Sequence, residues 1–179
     1  HGCGITPHRL RLFASARSAG KTTNTPFGPV TIEEFSVKKA CECDIVLLAV
    51  SGGFAKQYAE TIAKQSLVID NSSAFRYRDD IPLVIPEINP QKASHARLIA
   101  NPNCTTAIAV MALWPLHREF RLKRVIISTY QAASGAGAAG MKELEDGVRA
   151  WDAGVGCEPK TFQHPLPFNV IPHIDSFQE

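Results

Sequence analysis

Little in this chain marks it for nucleic acid, membrane or metal. Its 179 residues carry 19 Lys and Arg against 17 Asp and Glu, a net charge of +2. That is too small to point to a nucleic-acid or membrane partner, and no basic run appears. No apolar stretch is long enough to span a bilayer. The start, His1-Gly-Cys-Gly-Ile-Thr-Pro7, has neither an initiator Met nor a signal-peptide pattern. Five cysteines are an odd number without framework spacing. Cys41-Glu-Cys43 is too tight for a usual zinc pair, and no second Cys or His pair follows at metal spacing, so no metal is expected. This cysteine usage fits a reducing compartment. What is present is ordinary globular composition, 45% hydrophobic and 20% charged, with length for one good core or two small ones.

The stretch Ile99-Ala-Asn-Pro-Asn-Cys-Thr-Thr106 organises the rest. Leu98-Ile-Ala100 reads as a short strand, and Pro102 ends its ladder. Thr105 to Trp114 is a largely apolar helical segment that Asn103 can cap, placing Cys104 in the first turn. Free N–H groups and the positive dipole end there favour a thiolate over a thiol, which suits a nucleophile. The same residues also suit a small buried cysteine.

Upstream, Leu10-Arg-Leu-Phe-Ala14 is a strand candidate followed by the polar loop Ser15 to Lys21. At such a strand end an acid accepts the 2′-hydroxyl of NAD, whereas Arg with hydroxyls accommodates the 2′-phosphate of NADP. Arg17 and Ser18 suit NADP there, or form a solvated basic loop. Thr22 to Val30 is turn-rich. Asp44 to Val50 is a continuous apolar run, as expected of a central parallel strand covered on both faces. Ser51-Gly-Gly53 turns into a helix with Ala55, Tyr58, Ala59, Ile62 and Ala63 at helical spacing, and Leu67-Val-Ile69 follows as a strand. This is a βαβ unit with a parallel sheet, whose ligands belong at the carboxyl ends of its strands. Asp70-Asn-Ser-Ser73 lies at one such end, and Arg76 beyond it can clamp a phosphate or carboxylate or be an incidental surface arginine. Leu83-Val-Ile85, between Pro82 and Pro86, reads as an edge or short strand, and Pro90 to Arg97 as a polar connector.

After the Cys104 helix, Arg124 to Gln131 alternates like a half-buried strand. A helix is expected from Met141 to about Asp152, and Phe168-Asn-Val-Ile171 is a last apolar run. Gly135-Ala-Gly-Ala-Ala-Gly140 matches G-x-G-x-x-G literally. The dinucleotide fingerprint also needs a second strand ending in an acid about twenty residues on. Trp151 to Pro165 offers none, so these glycines are read as letting backbone approach a ligand closely or pack a helix tightly.

Four segments together resemble the aspartate-semialdehyde dehydrogenases: Ser15-Ala-Arg-Ser-Ala-Gly20, Asp70-Asn-Ser-Ser-Ala-Phe-Arg76, Asn101-Pro-Asn-Cys-Thr105 and Ser128-Thr-Tyr-Gln-Ala-Ala-Ser-Gly-Ala-Gly137. They stand in the family's order and at about its spacings, from Leu10 to near Ser176. The resemblance implies an α/β fold: a Rossmann-like NADP-binding domain with a mostly parallel sheet over residues 1–100. It implies the start of an α+β catalytic and dimerisation domain, like that of glyceraldehyde-3-phosphate dehydrogenase, over 101–179. The implied reaction is reversible reductive dephosphorylation of L-aspartyl 4-phosphate to L-aspartate 4-semialdehyde, on the route to lysine, threonine and methionine. Cys104 matches the family's acyl-forming cysteine, with Asn103 beside it positioning the acyl group. Gln131 matches the substrate-orienting glutamine, Arg76 the phosphate-binding arginine, Arg17 and Ser18 the pair on the NADP 2′-phosphate, and Ser134 and Gly135 a cofactor-contacting turn. A homodimer or homotetramer in the cytoplasm, or in an organelle such as a plastid, is implied for the full-length enzyme.

Two departures stand out. The family's N-terminal glycine-rich loop is absent, and His1-Gly-Cys-Gly4 does not replace it. The family's general-base histidine is expected beyond Glu179. His117, His164 and His173 stand at the wrong places for it and are read as structural or surface residues. The 179 residues are therefore expected to be an internal fragment with little or no activity. A non-catalytic nucleotide-binding or interaction module of the same fold is the alternative of another class. An N-acetyl-glutamyl-phosphate reductase resembles the chain only in layout, and a cysteine hydrolase lacks a placed histidine.

Overall fold

The computed structural model describes residues 7–172; His1-Gly-Cys-Gly4 and His173 lie outside them. Three short parallel strands carry the core: β4 (Ile45–Leu48), β5 (Leu67–Asp70) and β6 (Leu98–Ala100), in the order β4-β5-β6. Ile45 to Leu48 pair in register with Leu67 to Asp70, and Val68 to Asp70 with Leu98 to Ala100. Helix α2 (Gly52–Ala63) makes the β4-to-β5 crossover, as the sequence pattern predicts. Ser51 caps it by accepting from Phe54 N at 3.4 Å. Its Ala55, Ala59, Ile62 and Ala63 are buried with Val46, Leu48, Val68, Phe75 and Leu98 in one core. The two alanines, four apart, let the helix lie close to the sheet.

The apolar run 44–50 does not become a central strand covered on both faces. Among the described residues β4 stands at the end of the strand order. Val46 and Leu48 face α2, while Ile45 and Leu47 alternate outward and are 53% and 72% exposed. A parallel strand reads as a continuous apolar run when both faces are covered; here the described residues cover one. Leu83 makes a single parallel bridge to Ala100, which agrees with a short edge element between two prolines.

A second sheet, β1-β3-β2, holds β1 (Leu12–Ala14), β2 (Thr22–Thr25) and β3 (Gly28–Glu34). The turn-rich stretch 22–30 is thus a hairpin, with Thr22 to Thr25 paired antiparallel to Gly28 to Thr31. The loop is only Pro26-Phe27, which Gly28 closes at φ +104°, and Thr25 Oγ1 donates to Gly28 O at 2.7 Å. β1 runs parallel to β3. Just before β1, Arg11 donates to both carboxylate oxygens of Glu33 at 2.8 Å and to Glu42 at 2.9 Å, tying both β3 and the region after α1 (Val37–Ala40) to the strand. The Arg11 hydrogen bonds hold the Glu33 carboxyl down at about 2, against an ordinary 4.5.

Helix α3 (Cys104–Phe120) continues beyond the segment expected from sequence, through Pro115 to Arg121, whose φ of +55° ends it. The chain divides between Leu122 and Lys123 into two compact units. In the second, α4 (Gly137–Asp152) begins four residues before Met141. The alternating stretch 124–131 forms no strand: Ile126 is 81% and Tyr130 84% exposed. A strand needs a neighbour for its N–H and C=O groups, and the described residues of that unit supply none. The apolar run 168–171 likewise forms no strand; Phe168, at φ +56°, sets its ring 4.7 Å from Trp151. The parallel sheet with its helical crossover is a Rossmann-like α/β arrangement.

Candidate active site

The carboxyl ends of β5 and β6 gather polar side chains. Asp70, the last residue of β5, is fully buried. Its two oxygens accept from Ser72 N at 3.2 Å and Ser72 Oγ at 2.7 Å, and Ser72 Oγ in turn accepts from Ala74 N at 3.1 Å. These bonds fold the chain back at once. Arg76 then reaches across both strand ends: Nε donates to Asn101 O at 3.0 Å and Nη2 to Asn71 O at 3.1 Å. Two of its five N–H donors are thereby committed and the others remain for an anion.

Three residues after Asn101 stands Cys104, the first residue of α3. Asn103 is extended (φ −58°, ψ 142°), and its Oδ1 accepts from Thr105 N at 2.9 Å and Thr106 N at 3.3 Å. The cap predicted from sequence is therefore formed. The Cys104 side chain is exposed, with Sγ 4.0 Å from Thr105 Oγ1, so burial among apolar side chains is not its role. An exposed sulfur at a capped helix start is open to an incoming ligand. Arg76 thus rests on Asn101, the first residue of the turn 101–104 that leads to Asn103 and Cys104.

Arg17 and Ser18 lie elsewhere, on the turn leaving β1, in the other sheet. Ser18 N and Ala19 N both donate to Ser15 O, and Gly20 at φ +83° returns the chain toward β2. The Arg17 side chain is exposed and makes no hydrogen bond among the described residues. A turn at a strand's carboxyl end with an uncommitted arginine and a serine hydroxyl fits a phosphate-bearing nucleotide.

In the second unit Gln131, Ser134 and Gly135 come together. Ser134 and Gly135 belong to a 3-10 turn, Ala133–Ala136, leading into α4. A side chain at Gly135 would overlap Gln131, its Cβ falling 2.8 Å from Gln131 Cδ. At Gly140 a Cβ would fall 2.7 Å from Ala133 O. Gly135 and Gly140 of the G-x-G-x-x-G match thus permit close approach within this unit, whereas a Cβ at Gly137 would meet nothing within 4 Å. The tightest anchor of the unit was not foreseen: Glu143 accepts from Lys160 N at 3.0 Å, Phe162 N at 3.2 Å and Thr161 N. Burial opposes charge on Glu143, but these backbone N–H groups outweigh it and hold its carboxyl below the ordinary value. A carboxylate nineteen residues from its farthest donor leaves no local sequence signal.

His117 stacks on Trp114 with centroids 6.0 Å apart, and His164 is exposed. Also unforeseen was the amide pair of Asn71 and Asn101, whose side chains meet at 2.6 Å; the polar tail after β5 was its one visible hint.

Residues 7–96 match the profile of the semialdehyde dehydrogenase NAD binding domain, and residues 113–179 that of the semialdehyde dehydrogenase dimerisation domain. Over 166 residues the chain is 43% identical to the aspartate-semialdehyde dehydrogenase of Synechocystis sp., covering 92% of this chain and 49% of that protein. It is 40% identical to the enzyme of that name from Aquifex aeolicus, covering 95% and 52%. The crystal structure of aspartate semialdehyde dehydrogenase II from Vibrio cholerae superposes with a TM-score of 0.85 at 37% identity, over 96% of this chain and 52% of that one. The chain spans about half the length of the curated relatives it matches.

Proposed function

This chain belongs to the semialdehyde dehydrogenase family, and from that premise we propose that it serves the NADP-dependent, reversible reductive dephosphorylation of L-aspartyl 4-phosphate to L-aspartate 4-semialdehyde. The observation that carries this reading is the turn 101–104, which joins an anion-ready Arg76 to an exposed sulfur at a capped helix start. Residues 1–100 form the NADP-binding domain and residues 101–179 begin the catalytic and dimerisation domain of a homodimer or homotetramer. The enzyme works in the cytoplasm, or in an organelle such as a plastid, for lysine, threonine and methionine synthesis. Among the described residues no helix is long and apolar enough to cross a membrane.

The Cys104 thiolate attacks the acyl carbon of the aspartyl phosphate while Arg76 neutralises the departing phosphate. The C–O bond to phosphate breaks, a C–S bond forms, and the aspartyl group is held as a thioester. Asn103 keeps the helix start, and so the field at sulfur, in place. The Gln131 amide hydrogen-bonds and orients the substrate. The nicotinamide nucleotide, when bound, supplies the hydride that reduces the thioester carbon. Cys104 would leave as the thiolate once the acyl carbon is reduced to the aldehyde level. Arg17 and Ser18 take the 2′-phosphate of NADP, and Ser134 with Gly135 lines the cofactor.

Acyl transfer tests this on the chain itself, without hydride. Incubation with acetyl phosphate is expected to add one acyl group at Cys104, removable by hydroxylamine and read by mass spectrometry, and Cys104→Ser to abolish it. An adduct on another cysteine, or none, sinks the proposal.

A further inference from the structure

The bond between Asn101 Nδ2 and Asn71 Oδ1, 2.6 Å long, has no part in the chemistry just described. Asn71 follows β5 and Asn101 follows β6. The last backbone bond between these strands is Asn101 N to Asp70 O at 2.8 Å. Past it, the side-chain amide bond ties the two strand ends directly. The backbone carbonyls of these same two residues seat the Arg76 guanidinium, Asn101 O on Nε and Asn71 O on Nη2. A planar guanidinium presents its donors in a rigid fork, so the separation of its two acceptors sets how it sits. From Asn101 the chain passes through buried Pro102, whose ring fixes its backbone, to the Asn103 cap and Cys104.

We infer that Asn71 and Asn101 form a positioning brace: their amide bond fixes the spacing of the two carbonyls that seat Arg76, and so aims the arginine's remaining donors at the phosphate beside Cys104. This rests on the reading of Arg76 as the phosphate-binding residue. Without the brace, each carbonyl swings separately and phosphate binding must order the arginine first. The brace touches no substrate, and its loss weakens phosphate binding without moving the thiol.

Inorganic phosphate, titrated calorimetrically into the 179-residue chain, is the probe. Asn71→Ala and Asn101→Ala are each expected to weaken phosphate binding about fivefold, the scale of one lost hydrogen bond. The double variant is expected to lose no more than either single one, because both remove the same contact. Arg76→Ala is the reference and should abolish binding. A merely structural role predicts a lower melting temperature with unchanged affinity of the folded chain, and that result overturns the brace. So do additive losses. Loss in Arg76→Ala but in neither amide variant overturns the brace while leaving Arg76 in its role. Absence of phosphate binding in the unaltered chain, or full binding in Arg76→Ala, removes the Arg76 reading and the brace with it.

Discussion

Val46, Leu48 and Val68 in the first unit and Val125, Ile126 and Ile127 in the second are alike in composition and opposite in burial. The first three are at most 9% exposed, the second three at least 47%. The difference lies in what faces them. The first set has α2 across one face and hydrogen-bonded strands alongside. The second has no strand neighbour among the described residues of its unit. Apolar alternation states that a face wants cover; it does not supply the cover.

The largest effect that would sharpen this contrast is a matched pair of truncations. Ile62→Ala should cost about 2–5 kcal/mol, since Ile62 is fully buried in the α2–sheet core. Ile126→Ala should stay within about 0.5 kcal/mol. Equal losses in urea unfolding would mean that 124–131 is covered after all. A smaller effect comes from two helical glycines. A Cβ at Gly147 in α4 would lie 2.7 Å from Pro167 Cγ, whereas one at Gly53 in α2 meets nothing within 4 Å. Gly147→Ala is expected to lower stability by about 1–2 kcal/mol from overpacking. Gly53→Ala should raise it by about 0.4–1 kcal/mol. A gain from both would break the contrast.

The nucleotide reading gives a difference between ligands rather than in stability. Arg17→Ala should reduce the preference for NADP over NAD about tenfold, the loss of one charge-assisted contact. Equal weakening of both nucleotides in fluorescence titrations would remove Arg17 from the 2′-phosphate. The smallest effect concerns two carboxylates held low by different means. Glu33 is lowered to about 2 by hydrogen bonds and charge from Arg11, Glu143 by backbone N–H groups that overcome its desolvation. A depressed carboxyl stabilises the fold above its unfolded value, near 4.5 for Glu33, and that help drains away as pH falls toward 2. Molar salt should lift the NMR-measured value of Glu33 toward normal, because ion pairs are screened, and leave Glu143 nearly unmoved. Equal salt shifts would show that both respond to net charge alone.

Local chemistry made the βαβ unit, the Asn103 cap and the position of Cys104 legible, because each is encoded within a few adjacent residues. The hairpin 22–34 was hidden because Pro26, Gly28 and Pro29 read as loop, whereas Thr22 and Thr23 pair with Thr31 and Val30 across it. The Arg11–Glu33 pair, the Glu143 clamp and the Asn71–Asn101 bond join residues 17 to 30 apart. No short window contains both partners. The motif residues Arg76, Arg17 and Gln131 stood out by resemblance; what seats Arg76 emerged only once β5 and β6 were side by side.

The cap on α3 has one more consequence. Both first-turn amides rest on the oxygen of Asn103, not on its nitrogen. Deamidation to aspartate would replace only that nitrogen and would cap the helix equally well. It would also set a full negative charge on the residue beside Cys104, where an incoming anion would be repelled. A stored preparation would thus age with an unaltered circular dichroism spectrum, and a falling rate of thiol labelling by an anionic reagent would be the first sign.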